Sequence, residues 1–300
     1  MSFSSDVKEE LARQYSKSRH CQLAELAGML ELEGSLNAES GAVTLATDNM
    51  LLYEKYEILL QKAFGITAST EMDGRQAAKI LAALRWDGEN FMGIPLNERR
   101  ADGLLVQQTC CKRAFIRGAF MAAGSISNPN KSYHFEIVCR TMDQALQLQE
   151  LMAGFEAEAK IVERKERYVI YLKEGSQIVD MLNVMEAYVS LMNLENVRIL
   201  KEMRNSVNRK VNCETANINK IVNASVRQIE AIKYIQAQNG WDELPENLQE
   251  MARVRLEYPD ASLLELGELC EPAVGKSGVN HRLRKLCELA EKMGLAQKES

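Results

Sequence analysis

Apolar residues recur every three or four positions in two stretches of the chain that share one pattern. The first reads LAGMLELEG at 26–34, and the second reads IRGAFMAAG at 116–124. Both carry glycine at their third and ninth positions, and a serine follows each. This spacing predicts one amphipathic helix that occurs twice. Because glycine and alanine leave room for a neighbouring backbone, we expect the two helices to pack against each other through these small residues.

Similar elements are predicted after each copy of this helix. Two strands, a helix, one or two further strands and a last helix would give an α+β fold. The second hairpin is clear after the second copy, with its turn at 166–167. After the first copy the chain soon becomes helical again, so one strand of that hairpin is expected to be missing. The predicted strands lie at 35–38, 42–47, 66–72, 125–127, 133–139, 159–165 and 168–173, and the predicted helices at 50–64, 76–84 and 142–155.

The rest of the chain is predicted to be helical, interrupted by one linker. Residues 176–209 read as two helices, and the polar stretch at 205–217 is the candidate linker. Isoleucines from 218 onward mark a long amphipathic helix, and Pro245 begins the next one. The predicted division is a first half at 1–107, a second half at 108–208, a linker at 209–220 and a helical domain at 221–300.

Polar residues near the C-terminus define two short helices. Ser262 and Glu265 have the spacing of a capping box, and Ser277 is a suitable N-cap for a second helix. Two helices joined by a tight turn at about 261–292 indicate a helix-turn-helix, whose second helix would enter the major groove of DNA. The predicted buried stripes are Leu263, Leu266 and Leu269 on the first helix and Val279, Leu283, Leu286 and Ala290 on the second.

Charge supports this interpretation locally. The chain as a whole has a net charge of −5, but residues 196–240 hold eight Lys or Arg residues against three Glu residues. Charge alone does not distinguish a DNA-binding surface from a solvated helix face. Asparagine and arginine can pair with base edges, whereas lysine and serine contact phosphate. The predicted DNA contacts are Lys276, Ser277, Asn280, His281, Arg282, Arg284 and Lys285, with Arg204, Arg209, Lys210, Lys220 and Arg227 as further phosphate contacts.

Cysteines and histidines give no metal-binding motif in the sequence. The seven cysteines include no Cys-x-x-Cys, and no two of the three histidines have helical ligand spacing. Cys110 and Cys111 are neighbours, and we expect that they cannot both point into one tetrahedral site. No metal or other cofactor is therefore predicted. No apolar run approaches the length of a membrane span and no secretory signal is visible, so we expect a cytoplasmic protein.

The first repeated stretch resembles the LAGLIDADG motif of homing endonucleases, and the second resembles a degenerate copy of it. A doubled motif followed by a helix-turn-helix resembles the WhiA family of bacterial regulators, as do the blocks MRNSVNRKVNCETANINK and KSGVNHRLRKL. The resemblance covers essentially the whole chain. It implies a DNA-binding protein of Gram-positive bacteria, associated with the nucleoid and involved in sporulation, cell division and chromosome organisation. Double-stranded DNA is the implied partner, and a regulatory protein such as a sigma factor is a further candidate.

The resemblance also predicts loss of catalysis. In homing endonucleases the acidic residue before each final glycine holds the divalent metals, and these places are Glu33 and Ala123 here. Alanine cannot bind a metal, and cleavage by two metals needs carboxylates on both sides. Glu33 is then expected near the surface at its helix end, and Glu31 as a surface residue. The alternatives are a metal-dependent endonuclease that uses Glu33, and a module that binds a protein or ligand through the duplicated domain.

Overall fold

The structure is a computed structural model that describes residues 2–37, 39–67 and 69–294. Two positions in the predicted strands, Ala38 and Ala68, and the last six residues of the predicted C-terminal domain lie outside this description. The described helices include none with the length and apolar character that crossing a membrane requires.

The chain forms two compact units, Met1–Glu202 and Met203–Ser300. Over its described residues, the first half of unit 1 forms one hairpin and no second one. Ser69–Glu71 forms a 3₁₀ turn where the sequence predicted a strand, and a capping box of Asp73 and Gln76 begins a helix directly after it. The elements of this half are α1 (Phe3–Ala12), α2 (Arg19–Glu33), β1 (Gly34–Leu36), β2 (Val43–Leu45), α3 (Met50–Phe64) and α4 (Gly74–Ala83).

The second half of unit 1 contains the complete sheet. Its four strands are antiparallel in the order β3-β4-β6-β5, with Ile137 opposite Ile170. Lys165 and Glu166 both have positive φ and form the hairpin turn, so the turn lies one residue earlier than predicted. The elements are α5 (Thr109–Ala123), β3 (Gly124–Ile126), β4 (Phe135–Cys139), α6 (Met142–Ala153), β5 (Lys160–Arg164), β6 (Arg167–Leu172) and α7 (Gly175–Met185).

The two repeated helices, α2 and α5, cross at their glycines. A Cβ atom on Gly28 would lie 2.4 Å from the carbonyl oxygen of Phe115. A Cβ atom on Gly118 would lie 2.2 Å from the carbonyl oxygen of Glu25. Both distances are far shorter than real Cβ contacts, so only glycine fits at either place. The prediction of two helices packed through small residues is confirmed.

Beside this crossing lies a buried cluster of charged side chains. Arg117 donates to both carboxylate oxygens of Glu25, at 3.0 and 2.9 Å, and Lys55 lies 2.8 Å from the same group. Arg117 also bonds Glu186, and the Lys55 ammonium donates to backbone carbonyls, including that of Leu11. A buried ion pair is stable only when its remaining hydrogen-bonding groups are satisfied. The hydrogen bonds of Arg117 and Lys55 meet this condition. The cluster links α2, α3 and α5, because each helix contributes one of its charged residues.

The segment predicted as a linker is helical. α8 runs unbroken over Tyr188–Ala237 and includes residues 209–220. It contains no glycine or proline, the two residues that most often interrupt a helix. Residues 202–224 are all exposed, so this part of α8 has no buried apolar face. Residues 209–220 are therefore helical, and their polar sequence alone does not distinguish an exposed helix from an extended linker.

Unit 2 is a helical domain with a core of its own. The end of α8 packs with α9 (Glu246–Glu257), α10 (Leu263–Glu268) and α11 (Lys276–Lys292). Leu266 is fully buried and Leu263 packs at the edge of this core, as expected, but Leu269 is 43% exposed. α10 ends before Leu269, so the predicted stripe does not continue to it. The core contains Ile232, Ile235, Leu248, Met251, Leu266, Val279, Leu283, Leu286 and Ala290, among others.

Candidate nucleic-acid interface

The turn between α10 and α11 is built against Gly267. The Ser262 side chain and the Glu265 side chain form the predicted capping box at the start of α10. The backbone N–H of Val274 donates to the carbonyl oxygen of Gly267 at 2.9 Å. A Cβ atom on Gly267 would lie 1.9 Å from the carbonyl oxygen of Val274, so the turn can close this tightly only over glycine. This contact fixes where α11 begins.

α11 begins one residue before the predicted N-cap. Gly275 is the N-cap, with an extended backbone and no side-chain capping bond, and Lys276 is the first helical residue. The prediction that Ser277 caps this helix is therefore wrong. The closed turn before it places Gly275 at the helix start, and Ser277 is an exposed residue of the first turn. Its hydroxyl, together with uncapped backbone N–H groups, leaves hydrogen-bond donors at the helix N-terminus.

The polar residues of α11 share one exposed face. At 3.6 residues per turn, the predicted contacts other than Arg282 occupy one half of the helix circumference, opposite the buried stripe. Asn280 and Arg284 lie one turn apart near the middle of this half. The exposed residues are Lys276, Ser277, Asn280, His281, Arg284 and Lys285, and the buried ones are Val279, Leu283, Leu286 and Ala290.

Two arginines of α11 differ in what they contact. The Arg282 guanidinium lies 3.1 Å from a carboxylate oxygen of Glu250 on α9, and its side chain is only 19% exposed. Arg284 lies 3.1 Å from Glu288 one turn along the same helix, with both side chains largely exposed. An exposed pair of this kind contributes little to stability, so Arg284 can leave it at small cost. Arg282 instead joins α11 to α9.

The five basic residues of α8 are all exposed, but they do not lie on one line. Arg209, Lys220 and Arg227 project within about 20° of one another around the helix axis. Arg204 and Lys210 project in other directions. Arg227 also forms an ion pair with Glu291 of α11.

At the other end of the repeated helices, Glu33 is half-buried and Ala123 offers no ligand. Burial raises the pKa of Glu33, and the positive charges of Arg140, Arg167 and Lys8 act against that rise. Across the described ranges, no group of three or more His, Cys, Asp or Glu side chains converges around Glu33. The arrangement is a carboxylate among cations, which differs from a cluster of acids around a metal.

Glu31 is a core residue, so the prediction of a surface position is wrong. Its side chain is fully buried, and one carboxyl oxygen accepts a hydrogen bond from the backbone N–H of Ala101 at 2.9 Å. The other oxygen has no hydrogen-bond partner. Burial raises the pKa of Glu31 to about 8. The residue that covers Glu31, Ala101, lies 70 positions away in sequence. Local polarity around Glu31 therefore does not reveal that the segment containing Ala101 packs over α2.

The structure also corrects the interpretation of the cysteines. Cys110 and Cys111 both direct their sulfur atoms towards His20 and Cys21, and the four potential ligand atoms lie within 4.8 Å of one another. No local motif in the sequence reveals this cluster. The signal that could have revealed it is the 90-residue repeat, which relates His20 to Cys110 and Cys21 to Cys111.

Comparison with known proteins gives matches to one family along the chain. A family model for the WhiA LAGLIDADG-like domain matches residues 112–204, and one for the WhiA C-terminal HTH domain matches residues 207–290. A protein of Lachnoclostridium phytofermentans named "Probable cell division protein WhiA" is 48% identical over 99% of this chain and 100% of its own length. A protein of the same name from Alkaliphilus oremlandii is 46% identical over 98% of each chain.

A solved structure shows the same fold. The full-length DUF199/WhiA crystal structure from Thermatoga maritima covers 99% of this chain and 100% of its own, with a TM-score of 0.54 and 23% sequence identity. The α+β fold with a duplicated LAGLIDADG-like domain followed by a helix-turn-helix domain is thus confirmed. The curated relatives extend this likeness over nearly every position of the sequence. The chain belongs to the WhiA family.

Proposed function

We propose that this chain is a sequence-specific regulator that binds double-stranded DNA and has no nuclease activity. We further propose that it acts in cell division, the process for which its relatives are named, and that sporulation and chromosome organisation belong to the same role. It would work in the cytoplasm, associated with the nucleoid. A sigma factor or similar regulatory protein is the protein partner that this role would require.

The exposed polar face of α11 carries the proposal. A recognition helix needs hydrogen-bond donors on one side and an apolar stripe on the other, and α11 has both. Asn280 and Arg284 are placed one turn apart, where they can reach base edges of adenine and guanine. Lys276, Ser277 and Lys285 flank them and would contact phosphates. The uncapped N-terminus of α11 adds backbone N–H donors for the same phosphates.

The remaining predicted contacts divide into two roles. Arg282 acts as a positioning residue, because its contact with Glu250 holds α11 against α9. Arg209, Lys220 and Arg227 share one side of α8 and are suited to contact a DNA backbone in succession. Arg204 and Lys210 face other directions, so we expect them to contribute less to phosphate binding.

The absence of nuclease activity is supported by the ends of α2 and α5. Glu33 has no acidic counterpart on α5, where Ala123 stands, and cations lie around it. Cleavage by the two-metal mechanism requires carboxylates on both sides of the scissile phosphate. We propose that α2 and α5 have been kept as a packing core for unit 1.

The experiment begins with selection of duplexes from a random library by the purified full-length protein. Titration of the best duplex and of a scrambled duplex across a salt series then measures specific and non-specific affinity. We expect an enriched motif and specific binding at least about 1000-fold tighter than non-specific binding. Failure to enrich any motif, with equal affinity for both duplexes, would contradict sequence-specific recognition. Binding to neither duplex would favour the protein-interaction alternative for this chain.

A further inference from the structure

Four potential metal ligands meet at the N-terminal ends of α2 and α5. The Nδ1 atom of His20 lies 3.1 Å from the sulfur of Cys111, 3.4 Å from the sulfur of Cys21 and 4.0 Å from the sulfur of Cys110. All four ligand atoms lie within 4.8 Å of one another. Each cysteine is a free thiol in this structure. The cluster lies about 20 Å along α2 from Glu33, so it is separate from the C-terminal ends of α2 and α5.

The repeat explains why two pairs of neighbouring residues converge. His20 and Cys21 are the second and third residues of α2, and Cys110 and Cys111 are the second and third residues of α5. Since the two helices cross at Gly28 and Gly118, equivalent positions on both helices approach each other. Neighbours on one helix project about 100° apart, but here two helices contribute from opposite sides. Each helix therefore provides two of the four ligands, from neighbouring residues.

The separations of the four ligand atoms are close to those of a tetrahedral zinc site. With Zn–S bonds of about 2.3 Å and a Zn–N bond of about 2.0–2.1 Å, tetrahedral ligands stand about 3.6 Å apart for sulfur and nitrogen and about 3.8 Å for two sulfurs. The three measured distances from Nδ1 of His20 fall on both sides of that value. Three thiolates and one imidazole also form a ligand set that zinc prefers. We propose that His20, Cys21, Cys110 and Cys111 bind one zinc ion.

The surroundings suit the charge of such a site. Zinc with three thiolates and a neutral imidazole carries a net charge of −1, and the thiols would release their protons to solvent on binding. A negative group is stabilised at a helix N-terminus, and this site lies at two of them. Neither helix has a side-chain capping bond, at Ser18 or at Gln108, so backbone N–H groups remain available to the thiolates. Four protein ligands leave no open position, so the zinc would be structural and would join the starts of α2 and α5.

The primary experiment measures zinc directly. Full-length protein is purified under anaerobic, reducing conditions, its zinc is quantified by mass spectrometry, and the metal-free form is titrated with Zn²⁺ against a chromophoric chelator. We expect about one zinc per chain and a Kd below about 10⁻⁸ M. Titration with Co²⁺ should give the strong visible bands of tetrahedral cobalt with thiolate ligands. Zinc below about a tenth of an equivalent together with a Kd weaker than micromolar would overturn the proposal, as would a disulfide among these cysteines.

Variants locate the site without unfolding the protein. His20 and Cys110 are exposed, so His20→Ala and Cys110→Ser should fold, and each should weaken Zn²⁺ binding by more than about 100-fold. Cys213→Ser, at an exposed cysteine on α8, is the matched control and should bind zinc as the unchanged chain does. Chelator should lower the melting temperature of the unchanged chain and of Cys213→Ser, but not that of Cys110→Ser. Equal zinc affinity in all of these proteins would place the metal elsewhere and overturn the proposal.

Discussion

At the scale of single residues, the carboxyl group of Glu31 lies in the core of unit 1 without a charged partner in hydrogen-bond contact among the described residues. It is fully buried, it receives one backbone hydrogen bond from Ala101, and its pKa is raised to about 8 by burial. The unfolded chain would release this proton near pH 4.5, the ordinary value for glutamate. Between these two values the folded state binds one proton more than the unfolded state. Stability contributed by the neutral form is therefore fully present below about pH 4.5 and is lost as the pH rises through about 8.

Replacing Glu31 by Gln should remove this part of the pH dependence. The amide keeps an oxygen for the N–H of Ala101 and cannot ionise, so Glu31→Gln should melt at a higher temperature than the unchanged chain at pH 8.5. At pH 5 the two should be close. Thermal melts from pH 5 to pH 9 give the comparison, with Glu54→Gln, at an exposed glutamate on α3, as the control. A parallel pH dependence in the Glu31→Gln protein and the unchanged chain would show that Glu31 is ionised in the folded state.

Arg284 and Lys220 should separate base recognition from phosphate contact. Arg284→Ala should reduce the binding free energy for the selected duplex by about 1–3 kcal/mol. It should also make the protein less selective at one base pair. Lys220→Ala or Arg209→Ala should weaken binding to the selected and scrambled duplexes equally. Each change should also reduce the slope of log affinity against log salt by about one.

Fluorescence anisotropy across a salt series measures these effects. Arg253→Ala is the matched control, since Arg253 is an exposed arginine on α9 outside the recognition helix. If Arg284→Ala lost affinity equally on both duplexes, α11 would contact only the backbone. If it lost affinity on neither, α11 would not be the recognition helix.

At the scale of elements, the crossing of α2 and α5 depends on two glycines. Gly118→Ala and Gly28→Ala each place a methyl group within 2.4 Å of a backbone carbonyl oxygen, so the helices must separate. We expect each change to destabilise the protein by about 1–3 kcal/mol or more. Chemical denaturation measures the loss. Gly74→Ala, at a helical glycine with open space around it, is the control and should be neutral or slightly stabilising. Unchanged stability in Gly118→Ala would count against this crossing.

The elements also show which kinds of pattern the sequence reveals. α2, α5 and the β5–β6 hairpin follow from local periodicity, because their apolar residues repeat at helical or strand spacing. Between 202 and 224 every residue of α8 is exposed, so the sequence of its polar stretch at 205–217 resembles that of a linker. Glu31 and the pair of Cys110 and Cys111 depend on partners 70 to 90 positions distant, which no local window contains. Residue type alone predicts Ser277 as an N-cap, whereas the turn at Gly267 places Gly275 there.

At the scale of the whole molecule, a duplicated LAGLIDADG-like domain is followed by a helix-turn-helix domain. If the proposal is correct, the full-length protein should bind its selected duplex without cutting it. Incubation with Mg²⁺ or Mn²⁺ followed by denaturing electrophoresis should show no nicking, because Ala123 removes one of the two acidic ligands. An active LAGLIDADG endonuclease on its own site is the positive control. Cleavage that disappears in Glu33→Ala would establish the endonuclease alternative.

The glycine crossing has a consequence for how the two halves can evolve. The obstacle at Gly28 is the carbonyl oxygen of Phe115, and the obstacle at Gly118 is that of Glu25. Every amino acid carries the same carbonyl, so no substitution on the facing helix can make room for a side chain. A mutation at either glycine therefore has no intragenic suppressor at its contact partner, and compensation must come from another part of the fold or from restoring glycine. The two codons are therefore constrained independently of each other.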